Sequence, residues 1–265
     1  MLKNEPLSKL IELEQQEILD SQKKYGEFFN HAFKSHALLQ KFITNAKPDA
    51  FFFLIFLSQV RKHHLLAILS AARRHHVQMV MNLRQVLEAG ATAAYAIGNS
   101  KTEDYANLTE LGLLETPSKL VVKRYKWLED NYSNGSTAIK NIKDQIQKSA
   151  HANIVDAYRN FKIKDGTERL EISTPFFDYE NEFQTKSDFW IIGNVAMGLV
   201  DLFYGVNQKY NVLTFTEDFV ANLQMFESEN KRLKELQMQT EKFKRADKRA
   251  KMRDSALSKS AQTKA

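Results

Sequence analysis

The stretch SAARRHHVQMVMNLRQVLEAGATAAY, residues 70–95, decides the fold of this chain. At about 100° per residue, its larger apolar side chains fall on one side of a helix. That packed face consists of Val80, Leu83, Leu87, Ala91 and Ala94. Opposite it lies a narrow, uncharged polar stripe made of Gln78, Asn82, Gln85 and Thr92. The pattern predicts a helix that is buried over most of its circumference.

Two charged side chains, Arg84 and Glu88, interrupt this helix on one flank, near Tyr95. They are four residues apart, so they can form an ion pair on one face. Two interpretations are open. The pair either fixes the helix against its neighbours, or it lines a polar pocket that a residue from another helix completes.

Residues that make turns are scarce, with nine glycines and four prolines among 265 residues. Because strand-rich folds need many turns, this scarcity predicts long helices. Residues 49–98 contain no proline, and no glycine before Gly90. As a single helix this segment would be about 70 Å long. A kink near 58–74 and one continuous helix are both compatible with the sequence.

Helical spacing elsewhere predicts an all-α, multi-helix bundle of long antiparallel helices. Further helices are expected over 7–45, 103–114, 118–132, 137–160, 188–209 and from the 214–217 segment to about 240. Ser136 and Ser187 are the expected N-caps of two of them. Thr214 and Glu217 have the spacing of a capping box, which predicts that a helix opens there.

A small β-hairpin is expected at 161–174, because Asp165-Gly166 sits between short alternating stretches.

The chain is expected to divide into three parts. These are an N-terminal helical segment, 1–45, that packs on the bundle, a bundle core, 46–240, and a basic tail, 241–265.

The net charge of +6 lies in that tail, which holds nine basic and three acidic residues, while the rest of the chain is neutral. The folded body is therefore not expected to be a dedicated nucleic-acid binder. The tail is expected to be flexible, and it either contacts DNA or RNA or only improves solubility. Its candidate phosphate contacts are Lys244, Arg245, Lys248, Arg249 and Lys251.

The absence of cysteine excludes disulfides, zinc–thiolate sites, iron–sulfur clusters and thiol nucleophiles. The HExxH and ExxH signatures of helical metal sites are also missing. His64 and His75 share a helix face, but eleven residues separate them by roughly 16 Å along one straight helix. We therefore expect no metal site and no cofactor.

Two apolar runs resemble membrane spans in composition only. Residues 50–60 are too few for the ~20 that a bilayer crossing needs. Residues 189–206 contain Asn194 and Asp201, which are costly in lipid. We expect both runs to be buried core helices, and since the first residues lack an apolar signal segment, we expect a cytoplasmic protein with no membrane partner.

A second candidate stretch, QKSAHANIVDAY at 147–158, places His151 on the same stripe as Ile154 and Tyr158. This histidine is either a hydrogen-bonded residue at a helix interface or a general base.

The segments NLRQVLEAGATAAYAI (82–97) and SAHANI (149–154) resemble a group of bacterial all-helical proteins that is similar to the HEPN superfamily. The resemblance covers roughly 50–210. It implies a helical bundle, often dimeric, with several relatives linked to phage defence or toxin–antitoxin systems. The matched positions are Arg84, Glu88 and His151, but the Arg-x4-6-His motif of the catalytic RNases in that group is absent.

The leading functional expectation is a helical interaction or regulatory module that forms a homodimer or binds a protein partner, and the resemblance implies an association with defence. Phosphate-binding glycine loops, GxSxG and paired metal carboxylates are absent from the sequence. One alternative is a HEPN-like nuclease or nucleotide-processing enzyme, in which His151 acts as acid–base and Arg84 stabilises phosphate charge. The other is nucleic-acid binding through the tail alone.

Overall fold

The chain is described by a computed structural model over residues 7–150, 162–164, 171–173, 176–178, 180–245 and 248. These residues form the predicted all-α bundle with long antiparallel helices. The helices are α1 (Leu7–Tyr25), α2 (Glu27–Lys41), α3 (Phe51–Ala72), α4 (His76–Gly98), α5 (Leu120–Asn131), α6 (Ser133–Ala150), α7 (Glu182–Tyr210) and α8 (Phe219–Gln239). The short strands are β1 (Ile43–Ala46), β2 (Asn107–Leu108), β3 (Leu114–Glu115), β4 (Lys162–Lys164), β5 (Glu171–Ser173) and β6 (Leu213–Phe215).

Residues 49–98 form two helices, α3 and α4, that fold back on each other as the most extensively packed pair of the bundle. The reversal takes place at Arg73, Arg74 and His75. Arg74 adopts a left-handed backbone with φ of 57°, and the His75 amide donates to the Ser70 carbonyl at 2.9 Å. The sequence was compatible with one continuous helix and with a kink near 58–74. The structure has neither a continuous helix nor a gentle kink, but a sharp turn at the end of that range.

The predicted hairpin is confirmed, because β4 and β5 pair antiparallel with Ile163 opposite Ile172. Two other predicted helices were wrong. The N-terminal segment is broken at Gly26, where a φ of 52° is easily adopted only by glycine. Residues 103–114 form a short 3-10 turn and the β2–β3 hairpin, whose reversal uses Gly112 at φ 75°.

The capping-box prediction at 214–217 was also wrong, since Thr214 and Phe215 lie in β6, paired antiparallel with β1. The buried Asn207 side chain holds this segment extended. It accepts from the amides of Val212 and Leu213 at 2.9 and 2.8 Å and donates to the Leu213 carbonyl at 2.9 Å. Tertiary contacts thus override the local capping signal, and α8 begins at Phe219.

Two serines do not act as the predicted N-caps. Helix α6 already begins at Ser133, so Ser136 lies inside it. Helix α7 begins at Glu182, and its cap is Asn181, whose side chain accepts from the Gln184 amide at 3.4 Å. Ser187 lies within α7 and donates to the Phe183 carbonyl at 2.8 Å.

Helix α7 is the central element, in contact with α2, α3, α4 and α8. Within the described residues, two segments are long and apolar enough to cross a membrane, Pro48–Ala72 and Glu182–Tyr210. The most apolar window of Glu182–Tyr210 is 56% buried, as in a core helix, whereas that of Pro48–Ala72 is 33% buried. Much of the apolar surface of α3 therefore faces outward, in contrast to the core helix expected from the sequence.

Candidate functional site

The Arg84–Glu88 pair on α4 is formed as its spacing predicted. Arg84 Nε donates to Glu88 Oε1 at 3.1 Å, and Lys143 Nζ of α6 lies 3.5 Å from the same oxygen. Lys143 also donates to the Tyr125 hydroxyl of α5 at 2.9 Å. The network joins three helices, which is the arrangement expected of a pair that holds helices together.

These charges remain partly accessible to water, since the Arg84 and Glu88 side chains are 38% and 28% exposed. Burial by itself raises the pKa of Glu88, but the hydrogen bond from Arg84 and the charge of Lys143 outweigh it, so the pKa is lowered overall. Glu88 is thus held as a carboxylate beside two cations and is poorly suited to act as a general base near neutral pH.

Thr92, from the predicted polar stripe, connects this network to a buried arginine that the sequence analysis missed. The Arg124 guanidinium of α5 donates to the Thr92 hydroxyl, which in turn donates to the Glu88 carbonyl at 2.9 Å. Arg124 Nε is buried and has no hydrogen-bond partner among the residues that the structure describes. Nothing in the local sequence of α5 marks Arg124 as buried, because its partner lies 32 positions earlier.

The other predicted site residues are only partly described. His151, Arg249 and Lys251 lie outside the described residues, so the convergence of His151 with Arg84 and Glu88 stays a prediction. Lys244, Arg245 and Lys248 are exposed. Lys244 pairs with Glu241 at 2.9 Å.

The histidines of α3 and its turn separate into different environments. His64 is fully buried and donates from Nε2 to the Ile192 carbonyl at 3.2 Å. Its ring stacks on His36 with centroids 5.5 Å apart. His75 lies instead 3.3 Å from Glu14 and stacks on Phe177. In the described part of the chain, no group of three His, Asp or Glu side chains is arranged to hold a metal ion.

His76, the first residue of α4, forms the contact that most resembles a functional site. Its Nδ1 lies 3.0 Å from Asp188 Oδ2 and 3.1 Å from Oδ1. Gln184 Nε2 donates to the same carboxylate at 2.9 Å, and Asp188 is buried. The backbone amide of His76 donates to Asp178 at 2.7 Å. A buried carboxylate therefore fixes the imidazole in one orientation.

This dyad adjoins two cavities. The larger, of about 350 Å³, lies between α4, α7 and α8, is bordered by Gln145 and Ile146 of α6, and has mostly apolar walls, including Met79, Leu83, Phe183, Trp190 and Ile191. The smaller, of about 100 Å³, has polar walls that include Arg74, Asp178 and Asn181. His76, Gln184 and Asp188 line both cavities. The dyad thus stands where an apolar space meets a polar one.

The basic and histidine residues at the turn, Arg73–His76, belong to the stretch 70–95, but the sequence alone did not predict their partners. The acids that bind them lie far along the chain, because Asp178 and Asp188 are 102 and 112 positions beyond His76. Asp188, a carboxylate directly before the apolar run 189–206, was the available signal, and nothing local linked it to these residues.

Comparison of the chain with protein-family models, with curated proteins and with solved structures gave no significant match.

Proposed function

We propose that this protein is a helical interaction module that self-associates through the outward apolar face of α3. The observation that carries the proposal is the exposure of Phe51, Leu54 and Ile55, whose relative accessibilities are 59%, 41% and 38%. A solvent-exposed group of large apolar side chains on a well-packed helical protein is typical of an interaction surface.

The neighbouring β2–β3 hairpin extends this apolar character. Tyr105, at its base, stacks on Phe52 with centroids 4.2 Å apart and lies 5.8 Å from Phe56. The hairpin therefore emerges beside the first turns of α3. Its exposed leucines are Leu108, Leu111, Leu113 and Leu114. The hairpin and the helix together supply apolar surface that the chain itself leaves uncovered.

A second copy of the chain fits this face better than a charged partner. No charged residue occurs between Phe51 and Val60. In a two-fold symmetric contact, residues near the axis meet their own copies, so charged residues there would face like charges. A charge-free apolar face is compatible with that symmetry, and it offers no electrostatic means of selecting a different partner.

The experiment is sedimentation velocity of the full chain over a wide concentration range. We expect a reversible dimer in which Ile55→Glu weakens association at least about tenfold, because a carboxylate would be buried opposite its own copy. Glutamate is a good helix former, so folding should be retained. Met225→Glu, which changes an exposed apolar residue of α8, is the matched control and should leave association unchanged.

A wild-type chain that stays monomeric throughout that range contradicts the proposal. So does equal weakening by both variants, since the effect would then not belong to α3. A monomer that floats with lipid vesicles, and loses that ability with Ile55→Glu, would assign the face to a membrane surface instead.

A second candidate function, binding of nucleic acid through residues 241–265, is favoured by the concentration of the whole net charge of +6 in that segment. The nuclease alternative receives less support, because Glu88 already offsets the charge of Arg84 at 3.1 Å. A phosphate would have to compete with that carboxylate for the guanidinium.

A further inference from the structure

We infer that the cleft between α4, α7 and α8 binds a small amphipathic molecule, with its apolar body in the larger cavity and an uncharged, hydrogen-bond-accepting head beside Arg74 and His76. This site shares no residue with the α3 face, so the two proposals stand or fall separately.

The larger cavity has the character of a ligand site. Its volume of about 350 Å³ lies at the lower end of the range of small-molecule sites, about 300–1,000 Å³. Aromatic and aliphatic side chains, among them Phe183, Trp190 and Ile191, form most of its wall. Trp190 is itself fixed, because its Nε1 donates to the Asn230 carbonyl at 3.0 Å. An apolar body would be sheltered from water by walls that already exist.

The smaller cavity supplies the polar end. Arg74 lines it, and the Arg74 Nε is buried without a hydrogen-bond partner among the described residues. Another nitrogen of the same guanidinium donates to Glu17 at 2.9 Å. A buried, unsatisfied donor is costly, and such groups in folded proteins call for a missing partner. Water does not reach Nε in this structure, so a ligand oxygen would supply the missing partner once the Arg74 side chain turns Nε toward the smaller cavity.

The backbone of Arg74 is also unusual, with a φ of 57° that a non-glycine residue seldom adopts. Its carbonyl accepts from the Asp178 amide at 3.0 Å, which helps to hold the conformation. Strained residues that persist in this way concentrate at ligand and active sites. Arg74, held in this conformation, lines the smaller cavity.

The charges around the head favour an uncharged acceptor. Asp178 accepts from the His76 amide, and Asp188 accepts from Gln184 while lying beside the His76 ring. Glu17 already pairs with Arg74. A carboxylate or phosphate head would therefore face several carboxylates, while the nearby cation, Arg74, is already paired with Glu17. A cationic head could not accept a hydrogen bond and would leave Arg74 Nε unsatisfied. An amide, an ester carbonyl or a hydroxyl satisfies the donor without adding charge.

The test uses three probes with the same chain and different heads: octanamide, octanoate and octylammonium. Each is titrated into the full chain by calorimetry, with the thermal midpoint of unfolding as a second readout. We expect octanamide to bind and to raise the midpoint. The two charged probes should bind at least about tenfold more weakly.

Two variants locate the binding. Arg74→Lys keeps the positive charge beside Glu17 but removes the Nε donor, and should weaken octanamide binding about tenfold. Arg73→Lys is the matched control, because Arg73 Nε donates to the Leu69 carbonyl at 3.1 Å and Arg73 lines neither cavity. It should leave binding unchanged. Ile191→Trp fills the larger cavity and should abolish binding of all three probes. Because this variant does not depend on Arg74, it tests the location of the site even where Arg74→Lys does not fold.

Failure of every probe to bind the wild-type chain overturns the inference. Tightest binding of octanoate overturns the assignment of the head, and would indicate Lys234, which also lines the larger cavity, as the anchoring cation. Binding that survives Ile191→Trp unchanged overturns the location.

Discussion

The Nδ1 of His76 lies 3.0 Å from Oδ2 of Asp188, and the contact joins the start of α4 to the first turns of α7 across 112 positions of sequence. Asp188 is only 5% exposed. Removing one partner of a buried hydrogen-bonded pair leaves the other unsatisfied, which costs far more than the pair contributes when intact. The dyad is therefore a point where the bundle is sensitive to substitution.

We expect Asp188→Ala to lower the free energy of unfolding by about 3 kcal/mol. Urea denaturation of the full chain measures this change. Glu182→Ala on the same helix is the control, because Glu182 forms an exposed pair with Lys186 and should cost less than about 1 kcal/mol. Equal losses in the free energy of unfolding would show that the His76–Asp188 contact stabilises the protein no more than an exposed ion pair does.

For the Arg84–Glu88–Lys143 network we expect a smaller contribution to stability. Because its side chains are about a quarter to two fifths exposed, water screens the charges, and each pair should couple by less than about 1 kcal/mol. Double-mutant cycles with Arg84→Gln, Glu88→Gln and Lys143→Gln measure this coupling. A lowered pKa of Glu88 means that its contribution is present above the ordinary value of 4.5 and is lost as pH falls through the folded-state pKa. Coupling that is unchanged at low pH contradicts the electrostatic origin.

His64 predicts sensitivity to acid. Burial, aided by the neighbouring His36, lowers its pKa from 6.5 to about 3. Between these values the unfolded chain binds a proton at this position and the folded chain does not. The free energy of unfolding should therefore fall with decreasing pH by about 1.4 kcal/mol per unit from this group alone.

His64→Gln removes that titration. It should lower stability at pH 7 and yet give a shallower decline below pH 6.5, the ordinary value for histidine. Above that pH the wild-type and variant curves should run parallel, which is the internal control. Parallel curves below it as well would contradict a neutral buried imidazole.

Alanine substitutions at two glycines of α7, Gly193 and Gly198, should change stability in opposite directions. A Cβ at Gly193 would lie 2.6 Å from the His31 ring, which is fixed by stacking on Phe226 and by a 3.1 Å contact with Asn230. We expect Gly193→Ala to destabilise the protein by about 1–3 kcal/mol.

Gly198 is exposed in the same helix, and a Cβ there would meet nothing within 4 Å. Gly198→Ala should stabilise by about 1 kcal/mol through helix propensity. Thermal unfolding of both variants makes the comparison. A destabilised Gly198→Ala, or a neutral Gly193→Ala, would contradict the packing described for α7.

The tail predicts a salt-dependent retention on immobilised DNA or RNA. Deleting residues 241–265 removes the whole net charge of +6, so the shortened chain should elute at much lower salt, with a shallower dependence of affinity on salt concentration. Replacing Lys244 and Lys248 by glutamine should give an intermediate shift. Unchanged elution of the shortened chain would contradict nucleic-acid binding through the tail.

Local patterns predicted the features of this protein that depend on neighbours in sequence. The all-α class followed from helical spacing and scarce turn residues, and the β4–β5 hairpin followed from Asp165-Gly166. The Arg84–Glu88 pair followed because residues four apart on a helix are always close. Where a local signal competed with long-range contacts it failed, as at Thr214, which pairs with β1 instead of opening a helix.

The amino-acid sequence by itself thus determined the all-α class, where the net charge lies and which side chains four residues apart on a helix can pair, because these depend only on composition and on the geometry of one helix. The tertiary structure alone decided where α3 and α4 separate, that β6 pairs with β1, and that Asp188 meets His76 at the edge of a cleft. Contacts over more than a hundred positions are set by how the helices turn back and pack, and no periodicity within one helix contains that information.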